Sequence, residues 1–357
     1  MGELEGASIM HISINILTWN DLRYLPDLFR SVEAQTYKDV SVRVLDNGSG
    51  DGTLEYIQKH HPQFLVARNV RNLGFAAGHN QLIRFAMERW GEADLSDKGV
   101  LILNADMILH ERMLEELVNA LKSDLTLGAV QPKLLRAFAD VTLDDGVEQN
   151  VQSDILDTTG LVLRPNWRME DRGAGEIDRG QYDAKLDLIG PTGTSALWRA
   201  SALKDLAVNG EPLDSDFFAY REDCDLALRA RRAGWPTRFV PSARAHHYRG
   251  MYGAAKRGWW QRFLDRRKQR PFPAAMSTRN KLFFLLKNLT AGDWLRYGFR
   301  IVPNELSRVI YGFMFEPQTR LLLLKSPPSF IKMLRKRRLV LAKARESGKV
   351  IRSYVRA

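Results

Sequence analysis

Apolar and polar positions alternate along the first 135 residues in two different periods. Over residues 11–17, Ile12, Ile14 and Ile16 recur at period two, which predicts a strand. Tyr24, Leu25, Leu28, Phe29 and Val32 then fall at helical spacing as far as Gln35. A second strand over 40–45 stops at Asp46-Asn47-Gly48-Ser49-Gly50-Asp51-Gly52, a cluster dense in turn-forming residues. A short helix over 54–60 and a third strand over 64–67 come next. Asn72-Leu73-Gly74 opens a helix that runs to about Trp90, and residues 100–103 form a fourth strand. Met113, Leu114, Leu117 and Leu121 make a helix stripe before a fifth strand over 127–130. Strands alternating with helices at this spacing predict βαβ units. The expected fold is therefore α/β, with a mostly parallel sheet flanked by helices.

In open sheets of this kind, ligands bind outside the carboxyl ends of the strands. Four successive strand ends are polar here: Thr18-Trp19-Asn20-Asp21, Asp46-Asn47-Gly48-Ser49, Asn69-Val70-Arg71-Asn72 and Asn104-Ala105-Asp106. Any one of them reads equally well as a helix cap or an ordinary turn. Four together point to a site. The chain has neither G-x-G-x-x-G after its first strand nor G-x-x-x-x-G-K-[ST] anywhere, so the usual phosphate cradles are absent. An acidic site that holds a nucleotide diphosphate needs a divalent cation between carboxylate and phosphate, and Asp106 is the best-placed ligand.

The pattern loosens between about 136 and 190. Residues 159–163 read as a strand, and 173–180, rich in Gly and charge, as a mobile loop near the site. Gly190-Pro191-Thr192-Gly193-Thr194 leads into a strand over 195–198. Beyond Asp214 the sequence becomes dense in acids and aromatics. Leu226, Ala230 and Ala233 share one face of a helix that starts near Glu222 and is stopped by Gly234. Glu222 and Asp223 stand at its N-terminus, where the helix dipole favours a carboxylate. Asp225 and Arg229 are spaced i,i+4, and His246-His247 end the next strand, over 238–245.

Composition adds limits. With 357 residues and 45% hydrophobic content the chain buries a full-sized core. One cysteine, Cys224, excludes an intrachain disulfide framework and a Cys-rich zinc site, and favours a reducing, cytosolic compartment. The first residues lack the basic region of a secretory signal, and no run of about 18 or more apolar residues occurs. The net charge of +11 hides an uneven split. Residues 251–357 hold 25 basic and 5 acidic side chains, so residues 1–250 are net acidic.

These pieces stand in the order found in glycosyltransferase family 2, inverting enzymes of GT-A fold, and the chain resembles its rhamnosyltransferase-like branch. The resemblance rests on Thr18-Trp19-Asn20, the Leu45–Thr53 turn, Asn72-Leu73-Gly74-Phe75-Ala76-Ala77-Gly78-His79-Asn80 and Leu103-Asn104-Ala105-Asp106. It continues through Asp157-Thr158-Thr159-Gly160, Gly180-Gln181-Tyr182-Asp183, Gly193-Thr194, the Phe217–Leu226 segment and Val240-Pro241-Ser242-Ala243 with His247. Arg279-Asn280 and Lys287-Asn288 extend it to about residue 290.

The resemblance implies a nucleotide-sugar donor bound by Thr18, Asn20, Asp46 and Asn47, with Asp46 accepting a base N–H. It implies that Gly74, Phe75 and Asn80 close over the nucleotide. Asn104 and Asp106 take the place of the family's D-x-D, Asp106 holding Mg2+ or Mn2+ on the diphosphate. His247, or its neighbour His246, completes the metal site, and strand alternation lets one of the two point inward. Asp223 matches the catalytic base, with Glu222 as the adjacent alternative. Arg229 is either a donor contact or a partner of Asp225. Gly193 and Thr194 line the acceptor side, where Trp198 and Tyr220 are sugar-stacking candidates that core packing explains equally well.

The basic segment 251–357 mixes aromatics with charge: Trp259-Trp260, Phe263, Arg266-Arg267-Lys268, Trp294 and Arg335-Lys336-Arg337-Arg338. Read as a second region, it suits an anionic membrane surface better than nucleic acid, for which no motif exists. A solvated helical cap remains the plainer reading. A lipid-linked saccharide acceptor in cell-envelope polysaccharide assembly then implies a peripheral protein at the cytoplasmic face of the membrane. The rivals are a sugar nucleotidyltransferase, which needs a basic glycine-rich first loop, and a non-catalytic adaptor, against which Asp106, Asp223 and His247 argue. Donor base, acceptor linkage and oligomeric state stay open.

Overall fold

A computed structural model describes residues 9–91, 94–142, 148–248 and 271–356. The predicted alternation forms as β1 (His11–Thr18), α1 (Leu25–Glu33), β2 (Val40–Asp46), α2 (Thr53–His60), β3 (Leu65–Arg68), α3 (Phe75–Trp90) and β4 (Lys98–Asn104). A short β5 (Met107–Leu109) and α4 (Met113–Lys122) precede β6 (Ala129–Thr142). The strand expected over 127–130 is thus the first part of a much longer one. Its polar positions hid the rest: Gln131 and Lys133 are buried and bonded, Gln131 to Thr192 and Lys133 to Asp178 and Asp183.

The sheet runs β3-β2-β1-β4-β11-β6-β12-β10, where β10 is Asp187–Leu188, β11 Ser195–Arg199 and β12 Thr237–Tyr248. β3, β2, β1 and β4 are parallel, as are β6 and β12, while β11 lies antiparallel between the two sets. β7 (Glu148–Thr158) pairs with β6 and β5 with β12. β8 (Leu161–Leu163) and β9 (Met169–Asp171) make a separate hairpin. The strand expected over 159–163 starts only at Leu161, because Gly160 turns with φ +111°.

Both faces of the sheet are covered, which is what a parallel arrangement requires. Leu25, Leu28, Phe29 and Val32 of α1 and the α4 stripe pack on one face. Ala76 and Ile83 of α3, Leu203 and Leu206 of α5 (Ala200–Leu206), and Leu226, Ala230 and Ala233 of α6 (Glu222–Arg232) pack on the other. Gly234 ends α6 in a left-handed conformation, as its sequence position predicts.

α6 has a second buried face. Cys224, Ala227 and Leu228 meet Phe283, Phe284 and Leu285 of α7 (Pro271–Asn288) in a further apolar cluster. Ile301 of α8 (Ala291–Phe315), Met333 of α10 (Pro327–Ala342) and Ile351 of α11 (Gly348–Ser353) join it, and α9 (Pro317–Leu324) bridges α7 and α8. The basic helices are therefore packed through α7 onto α6. Trp259, Trp260, Phe263, Arg266, Arg267 and Lys268 lie outside the described residues.

Candidate active site

β1 and β2 end in register, with Thr18 opposite Asp46. The Asp46 carboxylate is fully buried. Oδ1 accepts the Ser49 N–H at 2.9 Å, while Oδ2 accepts no hydrogen bond and lies 3.3 Å from Arg68 Nε. Asn20, at φ +58°, ties this loop to the first one: its N–H donates to Ser49 Oγ and its Oδ1 accepts from Gly50 N–H, both at 2.9 Å. Thr18 donates to Asp21 at 3.4 Å.

Asn47 does something other than its expected contact with the nucleotide. Its Oδ1 accepts from Asn69 Nδ2 at 2.9 Å and Leu73 N–H at 3.1 Å, and its Nδ2 donates to Asn72 Oδ1 at 3.0 Å and the Gly74 carbonyl at 3.3 Å. The amide is saturated and shapes the loop that leads into α3. Gly74, at φ +88°, lets that loop pass the next segment, since a Cβ there would sit 2.5 Å from the Phe218 carbonyl oxygen. Asn80 also departs from its expected role. Its side chain bonds the Leu213 carbonyl, the Leu213 N–H and Ser215 Oγ, so it pins the 213–215 segment to α3.

At the end of β4, the Asn104 N–H donates to the Thr194 carbonyl at 3.0 Å. Two residues on, Asp106 Oδ2 lies 3.2 Å from His247 Nε2, and His247 Nδ1 lies 2.8 Å from Asp157 Oδ2. Burial opposes the charged imidazole, but Asp106 and Asp157 outweigh it and raise its pKa to about 10. Strand alternation sends His246 to the opposite side, where its Nδ1 meets His110 Nε2 at 3.2 Å. His247 is thus the inward member of the pair.

The donor set suits a divalent cation. A part-exposed carboxylate faces an imidazole nitrogen whose partner nitrogen is oriented by a buried carboxylate, the usual support for a metal-binding histidine. Burial raises the Asp21 pKa to about 6, and the charges of Asp106 and Asp51 add to the rise while bonds from Trp19 N–H and Thr18 oppose it. Asp21 and Asp106 therefore share one field. Among the described residues no group of three or more His, Cys, Asp or Glu that could hold a metal ion is present.

The third component is the start of α6. Phe218, Tyr220 and Arg221 hold φ values of +65°, +72° and +75°. Such left-handed conformations cost non-glycine residues about 1–3 kcal/mol each and need outside support. Asn280 of α7 supplies it: its Nδ2 donates at 2.8 Å to the carbonyls of Phe217, Ala219 and Tyr220. Held this way, the half-buried Asp223 accepts the Gly193 N–H at 3.1 Å on Oδ2 and the Cys224 N–H at 2.7 Å on Oδ1. A Cβ on Gly193 would come 3.1 Å from Asp223 Cβ and 3.5 Å from Phe75 Cζ, so Phe75, Gly193 and Asp223 meet. Glu222 points into the interior instead. Burial, then the charges of Asp223 and Asp225, raise its pKa to about 8, which favours the protonated form at neutral pH.

Arg229, Trp198 and the 173–180 segment are each held by neighbours within the fold. Arg229 spends its guanidinium on Asp225 Oδ2 at 2.8 Å and on the carbonyls of Leu206 and Pro212, buried between α6 and its neighbours. Of its two readings, the partner of Asp225 is the one seen. Trp198 is 3% exposed, packed among Ala129, Val100 and Leu203, and offers no face to a sugar, whereas Tyr220 is 48% exposed. The 173–180 segment is tied down: Leu156 N–H bonds the Glu176 carbonyl, Asp178 N–H bonds the Asp154 carbonyl, and Asp178 pairs with buried Lys133.

Sequence reasoning passed over Asp21, Asp157 and Asn280. Asp21 carried a signal, as an acid beside a strand end facing another acid. Asp157 and Asn280 stood in the quoted motifs without a role, and nothing in their spacing discloses one.

Residues 13–160 match the family model described as Glycosyl transferase family 2. N-acetylglucosaminyl-diphospho-decaprenol L-rhamnosyltransferase of Mycobacterium tuberculosis is 28% identical over 235 residues, 65% of this chain and 74% of that protein. Cholesterol galactosyltransferase of Borreliella burgdorferi is 26% identical over 115 residues, 32% of this chain and 30% of that protein. A solved structure of GalNAc-T7 with UDP, GalNAc and Mn2+ shares the fold at TM-score 0.52 and 14% identity, over 87% of this chain and 59% of that one. With the strand order, the polar strand ends and these likenesses together, the chain is similar to glycosyltransferase family 2 over residues 13–160 and is a transferase of GT-A fold.

Proposed function

We propose that this enzyme catalyses an inverting, divalent-metal-dependent transfer of L-rhamnose from dTDP-L-rhamnose to a lipid-linked saccharide in cell-envelope polysaccharide assembly. Supporting the sugar and the acceptor class is the name of the mycobacterial relative, an L-rhamnosyltransferase acting on N-acetylglucosaminyl-diphospho-decaprenol. The observation that carries the reading is the link between the two ends of the cleft. Asp223 is held by the Gly193 N–H, and the next residue, Thr194, bonds Asn104, two positions before Asp106.

Inversion requires the acceptor hydroxyl to attack C1 from the side opposite the leaving nucleoside diphosphate. Asp223 accepts the proton of that hydroxyl as the new bond forms. A carboxylate is a weak base, so its value is mainly positional, and two backbone N–H donors set its direction. Asp46 Oδ2 accepts a base N–H, with Thr18 and Asn20 framing the same pocket. Asp106 and His247 would hold Mg2+ or Mn2+, which when bound neutralises charge on the departing diphosphate. Asp157 keeps His247 oriented for that task. Tyr220 offers its exposed ring to the acceptor sugar. An acceptor of this kind places the enzyme at the cytoplasmic face of a membrane.

The test is a thermal-shift series of nucleoside diphosphates and nucleotide sugars with and without Mn2+ or Mg2+. A metal-dependent rise with dTDP or dTDP-L-rhamnose is expected, and it should vanish in Asp106→Ala. Asp223→Asn should keep that rise while turnover drops about 10²–10⁴-fold. No response to any nucleotide, or full turnover by Asp223→Asn, would overturn the proposal.

A further inference from the structure

α8 carries an apolar stripe that no described residue covers. Leu295, Phe299, Val302, Leu306, Ile310 and Phe313 are all exposed, Leu295 at 87% and Phe299 at 69%. At about 100° per residue they fall within about 80° of arc, a single line about 27 Å long. The opposite side of the same helix holds buried Ile301 and Glu305, so the stripe is the outer face of a helix that is already docked.

The charges around the stripe have one sign. Residues 291–342, which carry α8, α9 and α10 and are all described, contain three acids. Asp293 and Glu305 are buried, paired with Arg232 and Arg308, and half-buried Glu316 accepts from Thr319 at 2.6 Å. The exposed charged groups on these helices are basic: Arg296, Arg300, Arg320, Lys325, Arg335 and Arg338, besides Lys332, which pairs with Asp216. Arg296 and Arg300 flank the stripe along one side. No helix among the described residues is long and apolar enough to cross a membrane.

We infer that the outer face of α8 is a docking surface for an anionic lipid bilayer, the helix lying in the interface with its stripe among the acyl chains and its arginines at the headgroups. The inference deepens the membrane placement in the reading above and assigns it to a surface. Nucleic acid would use the charge but leave six large apolar side chains in water. A second copy of this chain would bring its own arginines against these. An anionic bilayer satisfies both the charge and the apolar line.

The experiment is co-flotation of the full chain with vesicles of phosphatidylcholine alone, or of phosphatidylcholine with about one third phosphatidylglycerol. The wild type should float with the anionic vesicles and release as salt rises. The paired variant Phe299→Asp with Leu306→Asp should bind them about tenfold less well, with an unchanged circular-dichroism melt and unchanged metal-dependent stabilisation by nucleotide. Arg296→Gln with Arg300→Gln should lose the preference for anionic vesicles. Equal binding by the aspartate variant overturns the inference. So does absence of wild-type binding, including the case in which sedimentation shows a dimer that the same substitutions dissociate. Because nucleotide stabilisation is read separately, failure here leaves the transferase reading standing, and failure of that reading leaves vesicle binding to be scored by itself.

Discussion

The turn after β2 and the start of α6 both direct polar groups into one cleft, yet they are held in different ways. Around Asn47 the partners are neutral amides and backbone groups no more than 27 positions away. Around α6 the partners come from α7, 60 to 73 positions downstream, and many are charged. Lys287 Nζ lies 2.7 Å from Asp214 and 2.8 Å from Asp225, all three buried, and Asn288 bonds the other oxygen of Asp225 at 2.8 Å. Attraction from Lys287 and Lys336 holds the Asp214 carboxyl well below its ordinary range despite its burial. The turn after β2 can therefore relax locally, whereas the start of α6 is as stable as its attachment to the C-terminal helices. Carboxylates so tightly referenced to a distant element, as Asp214 and Asp225 are, fix the α6 start at the risk of leaving buried charge exposed to any loss of its partner.

The contrast can be tested most severely at Lys287. Lys287→Met leaves Asp214 and Asp225 short of a cation in the interior and should cost about 3–5 kcal/mol in urea unfolding. If the loss were under about 1 kcal/mol, the start of α6 would be no more dependent on α7 than the turn after β2 is on its own loops.

A finer comparison pairs two asparagines. Asn280→Ala removes support from three carbonyls in a left-handed segment and should cost about 1–3 kcal/mol, with kcat falling more than donor affinity. Asn47→Ala should cost a similar amount of stability but weaken donor binding first, with kcat at saturation nearly kept. Steady-state kinetics with donor-binding isotherms would separate the two, and identical profiles would erase the distinction.

The smallest effect concerns Glu222. Its folded pKa, about 8 against an ordinary 4.5, means that the protonated form is the one the interior tolerates. Its contribution is most favourable below the ordinary value and is lost as pH rises towards 8. Glu222→Gln should match wild type near about pH 5 and melt a few degrees higher at about pH 8. A constant offset across that range would show that the carboxyl is not carrying the pH dependence.

Much of the fold was legible from residue order. The alternation of period-two and helical stripes located β1 to β4 and the helices between them, because burying a strand or helix face is a demand on consecutive residues. The polar strand ends located the cleft for the same local reason. The part of β6 beyond Val130 was not legible, since Gln131 and Lys133 meet their partners in the interior and break the apolar pattern.

Within the site, sequence alone determined that Thr18, Asp46, Asp106 and Asp223 stand at strand or helix ends. Tertiary structure decided what each neighbour does. His247 rather than His246 turns inward because Asp106 and Asp157 converge on it. Glu222 becomes a buried acid while adjacent Asp223 stays at the cleft. Trp198 vanishes into the core while Tyr220 remains exposed, and Asn280 becomes the brace of a loop sixty residues before it. Hydrophobic periodicity belongs to the segment that carries it. Desolvation, ion pairing and backbone strain depend on groups that only the folded chain brings within a few ångströms, so the same residue type at adjacent positions acquires opposite roles.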